Sequence, residues 1–407
     1  MNARTFRVAV GTVYTAGLLQ GFAFVLIPAL GDVLRSAPYS LSAGHYGALF
    51  LPETAGAIAS ALVAGRLARR RGAQGVFRLG LICNVAAALL LAASAAVAGA
   101  GAGSVLAGSA AAYAMLLIET ALLGFGFGLN LSVTNHFAAA LFPARDITAV
   151  TVLNAVIGGA TAVSPLILQA IQAWWAWWGW PVAIGAAFLL LLALPRVAGD
   201  REATAHLRTP QSRDVRVARC ADTGRLALFA AAVLMYAIVE GSFGSWASLY
   251  GGALHFPPRY GAWALAAFWG AMTLFRLLLG AAPRRRVSPR VLYVVSPLAI
   301  AVCFVGAARV TTPTALVLAF AAAGAACSIY YPFSMSFALR AFPDAQTKTA
   351  GVLVAALMAG EGVGSWFPGP LQQWFDLTDI YLVSALWGAP LLWLAWRLGR
   401  ERGGPGA

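Results

Sequence analysis

Apolar stretches of about 20 residues follow one another from end to end of this 407-residue chain, and about 20 residues is what a helix needs to cross the hydrocarbon core of a bilayer. No other feature limits the fold as tightly. With 60% hydrophobic and 10% charged residues, the chain lacks the polar surface of soluble domains, whose charged residues run to roughly 25%. A soluble enzyme, a disordered chain and a disulfide-stapled secreted domain are therefore excluded. In hydrocarbon, backbone N–H and C=O groups have no water to bond, and a helix satisfies them within one segment. The expected class is an all-α membrane protein with twelve transmembrane helices in two pseudo-symmetric six-helix bundles. The spans are placed at 7–30, 42–65, 76–98, 110–141, 148–171, 180–194, 226–250, 260–282, 291–308, 314–342, 347–368 and 380–398. Trp174, Trp175, Trp177 and Trp178 precede the short sixth span and read as an interfacial belt.

The formal charge is +14. In a soluble protein this balance points to nucleic acid; here the positions of the charges exclude that partner. All but three of the 28 basic residues, the exceptions being Arg35, Arg259 and Arg309, fall in the tails, in alternate connections or at the helix ends beside them. Basic residues mark the cytoplasmic face. The chain is thus expected to be multi-pass in a bacterial cell inner membrane, with both termini cytoplasmic. The longest polar stretch, 196–225, is expected to be a cytoplasmic linker between an N-terminal bundle at 1–195 and a C-terminal bundle at 226–407. Cys220 lies in that linker. An impermeant thiol reagent should miss it in intact cells and label it in inverted vesicles; labelling from outside would reverse the orientation.

The two halves carry traces of a repeat. Phe137-Ala138, Phe142-Pro143, Gly124 and Leu153 recur two hundred residues later as Phe337-Ala338, Phe342-Pro343, Gly324 and Leu353. A parallel repeat of six helices is one of the known transporter layouts. The loop Gly65-Arg66-Leu67-Ala68-Arg69-Arg70-Arg71-Gly72 resembles the cytoplasmic signature of the major facilitator superfamily, and Gly280 through Arg286 is its degenerate counterpart. Arg69 stands where that signature has an acid. Within the superfamily, Tyr236, Glu240, Gly241, Gly244, Trp246, Tyr250, Phe268, Trp269 and Arg276 are similar to the seventh and eighth helices of fucose-permease-like sugar:proton symporters. The resemblance implies the major facilitator fold, alternating access and a sugar-like solute carried with protons. The acids that such permeases use in their first and fourth helices have no clear counterparts; Gln20 and Asn130 lie near those places.

Four acids fall inside expected spans: Glu53, Glu119, Glu240 and Glu361. A charge at bilayer depth costs about 2.5–3.5 kcal/mol or more, so each should face a cavity, a partner or a proton. Glu240 and Glu361 lie near the middle of their helices, where transporter sites are found. Both are candidates for proton coupling or solute binding. Glu53 follows Pro52 about halfway along the second span and has an equal claim as a bond to backbone groups freed by the proline. Glu119 is in the outer part of the fourth. Arg276 is read as snorkelling toward the cytoplasmic interface. Asn130, Asn154 and Gln20 are expected to contribute polar groups from the first half to a central cavity. Tyr236 shares a helix face with Glu240, and Trp246 and Trp269 are candidate stacking rings.

Other patterns carry less. Gly17/Gly21, Gly124/Gly128 and Gly360/Gly364 read as close helix contacts. Cys83, Cys220, Cys303 and Cys327 have no metal or redox spacing, and no nucleotide-binding segment or hydrolytic triad is present, so no cofactor, no metal and no enzyme activity are expected. The expected function is secondary active transport of a small solute by a monomer in the lipid bilayer. The alternatives are a multidrug or metabolite exporter of the same fold, and a non-transporting receptor or assembly protein.

Overall fold

In a computed structural model, the structure describes residues 3–100, 105–194, 220–281 and 288–400. Most of the expected linker, the arginines of 284–286, Arg402 and the side chain of Cys220 lie outside the described residues. The chain divides into two compact units, Met1–Thr209 and Pro210–Ala407. Every element among the described residues is helical.

The first unit contains α1 (Ala3–Phe24), three short helices α2 (Leu26–Ala29), α3 (Gly31–Arg35) and α4 (Ala43–Ala48), then α5 (Phe50–Ala100), α6 (Val105–Leu141), α7 (Asp146–Gln172) and α8 (Gly179–Ala193). The second contains α9 (Cys220–Ala253), α10 (Pro258–Ala281), α11 (Pro289–Ala308), α12 (Pro313–Ala341), α13 (Gln346–Trp366), α14 (Pro368–Leu371), α15 (Leu377–Ser384) and α16 (Gly388–Arg400). Among the described residues, nine helical segments are long and apolar enough to cross a membrane. One of them, Ala43–Gly99, has 57 residues and would reach roughly 85 Å if straight, almost three times the hydrocarbon core. It folds back at Gly72, whose φ of 72° and ψ of 170° interrupt the helix. Residues with a Cβ rarely adopt that φ, so the last glycine of the signature loop is where the chain can turn. The expected first and sixth spans are helical but fall outside the nine; α8 has only 15 residues.

Two of the expected spans, the second and the twelfth, are broken, the second of them next to a proline. Pro52 and Glu53 lie in the first turn of α5, after a break at Leu49, rather than halfway along a helix. Proline is tolerated there because a first-turn N–H has no partner within the helix. The twelfth span is divided into α15 and α16 by a 3₁₀ turn at Ala385–Trp387.

Small residues set the closest helix approaches, and the two units repeat them. In the first, Gly17 and Gly21 let α1 lie on Leu153, Ile157 and Ala160 of α7. In the second, Gly241 of α9 faces Glu361 of α13, while Gly360 and Gly364 of α13 face Leu234, Ala237 and Ile238 of α9. The same holds for another pair. Gly124 of α6 abuts the Glu53 carbonyl, and Gly324 of α12, two hundred residues later, abuts the Phe268 carbonyl. Gly128 packs on Ala57 and Ser60, so all three sequence pairs of glycines are close helix contacts. Both arms of α5 pack on α6. The first runs with it, Glu53 meeting Gly124 and Ser60 meeting Gly128; the second runs against it, Gly80 meeting Asn130 and Asn84 meeting Gly126.

The second unit also has an aromatic centre. Phe243 stacks on Phe304 with ring centroids 4.3 Å apart and meets Phe320 and Tyr381 edge-on. Tyr250 stacks on Tyr381 at 4.5 Å and donates to the Ala307 carbonyl. Such pairs add about 0.5–1.5 kcal/mol each beyond their burial, and they help fix α9, which carries Glu240.

Candidate functional site

Glu240 lies in the middle of α9, and only 4% of its side chain is exposed. Tyr236, one turn earlier, faces the same way. The α9–α10 hairpin brings Arg276 opposite them, because Gly251 and Gly261 let the two helices approach near their connection and Gly244 admits the Trp269 ring further along. Arg276 Nη2 donates to Glu240 Oε1 at 3.3 Å. The guanidinium therefore turns inward to a carboxylate, where the sequence suggested a side chain reaching for the interface. It remains 38% exposed, so the pair is sealed on the glutamate side and open on the arginine side. Glu240 Oε2 is buried with no hydrogen-bond partner among the described residues. A buried acceptor left unpaired costs roughly 1–3 kcal/mol, more for a charged one; this oxygen is a place for a proton or a ligand donor.

A ladder of tyrosines extends from the pair. The Tyr236 oxygen lies beside both Glu240 and Arg276, and its hydroxyl donates to the Cys327 carbonyl at 2.7 Å. Its ring stacks on Tyr330 at 5.4 Å, Tyr330 lies 4.8 Å from Tyr293, and the Tyr293 hydroxyl is 2.8 Å from Ser334 Oγ. Tyr331 lies within electrostatic reach of both Glu240 and Glu361. Glu361 is half-buried on α13, and its backbone packs on Gly241, the residue after Glu240. The structure thus brings Tyr236, Glu240, Arg276 and Glu361 into one neighbourhood of the second unit.

The remaining sequence candidates fall into different settings. Trp269 is half-buried one turn along from the pair. Trp246 is fully buried and its Nε1 donates to the Ser365 carbonyl at 2.8 Å, which makes it part of the α9–α13 packing. In the first unit Glu53 is half-buried and Glu119 is buried nearby, with Oε2 unpartnered. Gln20 and Asn130 are buried, and neither amide has a hydrogen-bond partner among the described residues. Asn154 is exposed and donates to Asn135 Oδ1 and the Val150 carbonyl. Asn84 was not visible as a candidate; it is buried with both amide atoms unpartnered, beside Gly126 and one turn from the Gly80–Asn130 contact. Arg66, Arg69, Arg70 and Arg71 occupy the turn that ends at Gly72. Among the described residues no cluster of His, Cys, Asp or Glu is placed to hold a metal.

The backbone decides what these helices belong to. A mutant of the nucleoside transporter NupG superposes with a TM-score of 0.74 at 13% identity, over 96% of this chain and 99% of its own. A D-xylose–proton symporter superposes with a TM-score of 0.76 at 15% identity, over 98% of each chain. The chain has the major facilitator fold. The xylose transporter XylE from E. coli, in a partially occluded inward-open conformation, gives a TM-score of 0.72 at 13% identity over 100% of both chains. No family model matches the sequence, and no curated protein matches it. The fold is therefore shared with those structures at 13–15% identity, and the multi-span membrane architecture follows from it.

Proposed function

We propose that the chain is a secondary active transporter that moves a small polar solute, a sugar or a related metabolite, across a bacterial inner membrane by alternating access, with protons as the coupling ion. The supporting observation is the buried Glu240 carboxylate, held by Arg276 through one oxygen while the other is unpartnered. An intramembrane acid is stable when paired or protonated. Glu240 therefore has two available conditions: ionised and bridged to Arg276, or protonated and released. A conversion between them frees the Arg276 guanidinium, whose N–H donors suit hydroxyl and carbonyl oxygens. A solute that binds the freed arginine and a proton that binds Glu240 then favour the same state, which is the differential binding that coupling requires.

The structural neighbours, a nucleoside transporter and a xylose–proton symporter, favour a solute with several hydroxyl groups. Trp269 is the proposed stacking ring, and Asn154 a proposed solute-binding side chain. Glu361 is the reserve coupling residue. Chemistry on a bound substrate is not part of this reading.

The test is uptake by proteoliposomes carrying an inside-alkaline pH gradient, with a panel of radiolabelled pentoses, hexoses and nucleosides. At least one class should accumulate above its external concentration, and a protonophore should collapse the accumulation. Equal, purely downhill entry with and without the gradient would remove protons as the coupling ion. Failure of folded protein to bind or move any panel member would remove the solute class.

A further inference from the structure

A cavity of about 510 Å³ lies in the second unit, away from Glu240, between the α13–α14 turn and the divided twelfth span; Phe367, Leu371, Phe375, Val383 and Trp387 form half of its wall. Both neighbours are broken helices. α13 ends at Phe367 before Pro368, and α15 gives way to α16 through the 3₁₀ turn. Gly388 lets α16 pack against Ala301 and Pro297 of α11.

The crevice has one charged residue, Asp379. Asp376 stands just before α15, and neither of the two carboxylates has a hydrogen bond or ion pair among the described residues. Trp374 and Phe375, beside them, are 70% and 52% exposed, as rings at a membrane–water boundary are. From Asp379 to Pro390 the span advances roughly 16 Å, about half the thickness of the hydrocarbon core. The crevice therefore starts at acids on one interface and descends through one leaflet, the leaflet opposite the end of α16.

We propose that this crevice holds one acyl chain of a phospholipid with a primary ammonium headgroup, the ammonium pairing with Asp379 and Asp376. Apolar walls alone give no preference, since a bilayer solvates an acyl chain as well as leucine does. Selection falls to the rim. A primary ammonium brings three N–H donors to the carboxylates, a trimethylated one brings none, and an anionic headgroup is repelled.

Native mass spectrometry of the delipidated chain in detergent tests this, using ethanolamine-, choline- and glycerol-headed phospholipids with identical acyl chains. One ethanolamine lipid should be retained, with at least tenfold preference over the other two. The double variant Asp376→Asn/Asp379→Asn should retain lipid but lose the preference. Val383→Trp, which fills the crevice from an exposed position, should lose retention with an unchanged thermal midpoint. Equal retention of the three headgroups by the unmodified chain, no retained lipid, or full retention by the tryptophan variant would each overturn the proposal.

Discussion

Glu240→Gln is expected to abolish accumulation driven by a pH gradient while leaving exchange of solute across the membrane intact. Glutamine keeps the shape of the side chain and removes its proton chemistry, so the released condition becomes permanent. The solute can still cross, but nothing ties its passage to a proton. Uptake in proteoliposomes with and without the gradient separates the two activities, and undiminished uphill uptake by the glutamine variant would clear Glu240 of the coupling role. Arg276→Leu should act differently. It strands the carboxylate among apolar groups with both oxygens lacking a cation. Breaking a buried pair from one side costs about 3–5 kcal/mol; with Arg276 38% exposed, the lower end applies. The double variant Glu240→Gln/Arg276→Leu should recover most of that loss, because no uncompensated charge remains. The coupling energy from the double-mutant cycle, read from thermal midpoints, should be on the order of 1–3 kcal/mol. A double variant as unstable as the sum of the singles would mean that the two side chains do not act as a pair.

How much of this was open to sequence reading depends on range. Apolar length acts locally, and it located most of the helices and the loop region in which Gly72 makes the turn. The close glycine contacts were legible for the same reason: three residues between glycines put both on one face, and such a face in a membrane helix has few uses other than close approach. The Glu240–Arg276 pair was not legible. Arg276 is near the end of its span, so by depth alone it reads as a side chain reaching for water. What brings it to Glu240 is the register of α9 on α10, and that is set by Gly251 and Gly261 at the far end of the hairpin. Trp246 fails as a stacking candidate on the same ground, because its burial depends on where α13 crosses α9. Asn84 shows a further limit. A single amide in an apolar run looks incidental until a second helix places Asn130 one turn away with its own hydrogen bonds unmade.

The largest stability effects should come from residues without side chains. A Cβ on Gly124 would overlap the Glu53 carbonyl, and a Cβ on Gly324 would overlap the Phe268 carbonyl. In each case the obstacle is helix backbone, in the first turn of α5 for Glu53 and in the middle of α10 for Phe268, and it cannot rotate away as a side chain can. The helices must separate, and the contacts on either side of the crossing are lost with them. Overpacking usually costs about 1–3 kcal/mol, occasionally more; here Gly124→Ala and Gly324→Ala should reach the top of that range, and leucine at either position should leave no monodisperse protein after extraction in detergent. Gly159 and Gly306 have nothing within 4 Å of the place a Cβ would occupy. Alanine there should raise stability by about 0.5–1 kcal/mol, since glycine inside a helix is penalised by that amount. Size-exclusion profiles and thermal midpoints of the four alanine variants would show losses at 124 and 324 and gains at 159 and 306. The two losses should also be of similar size. The same crossing occurs once in each unit, so a heavy loss at Gly124 with none at Gly324 would mean that the repeat has not kept its packing role in the second half.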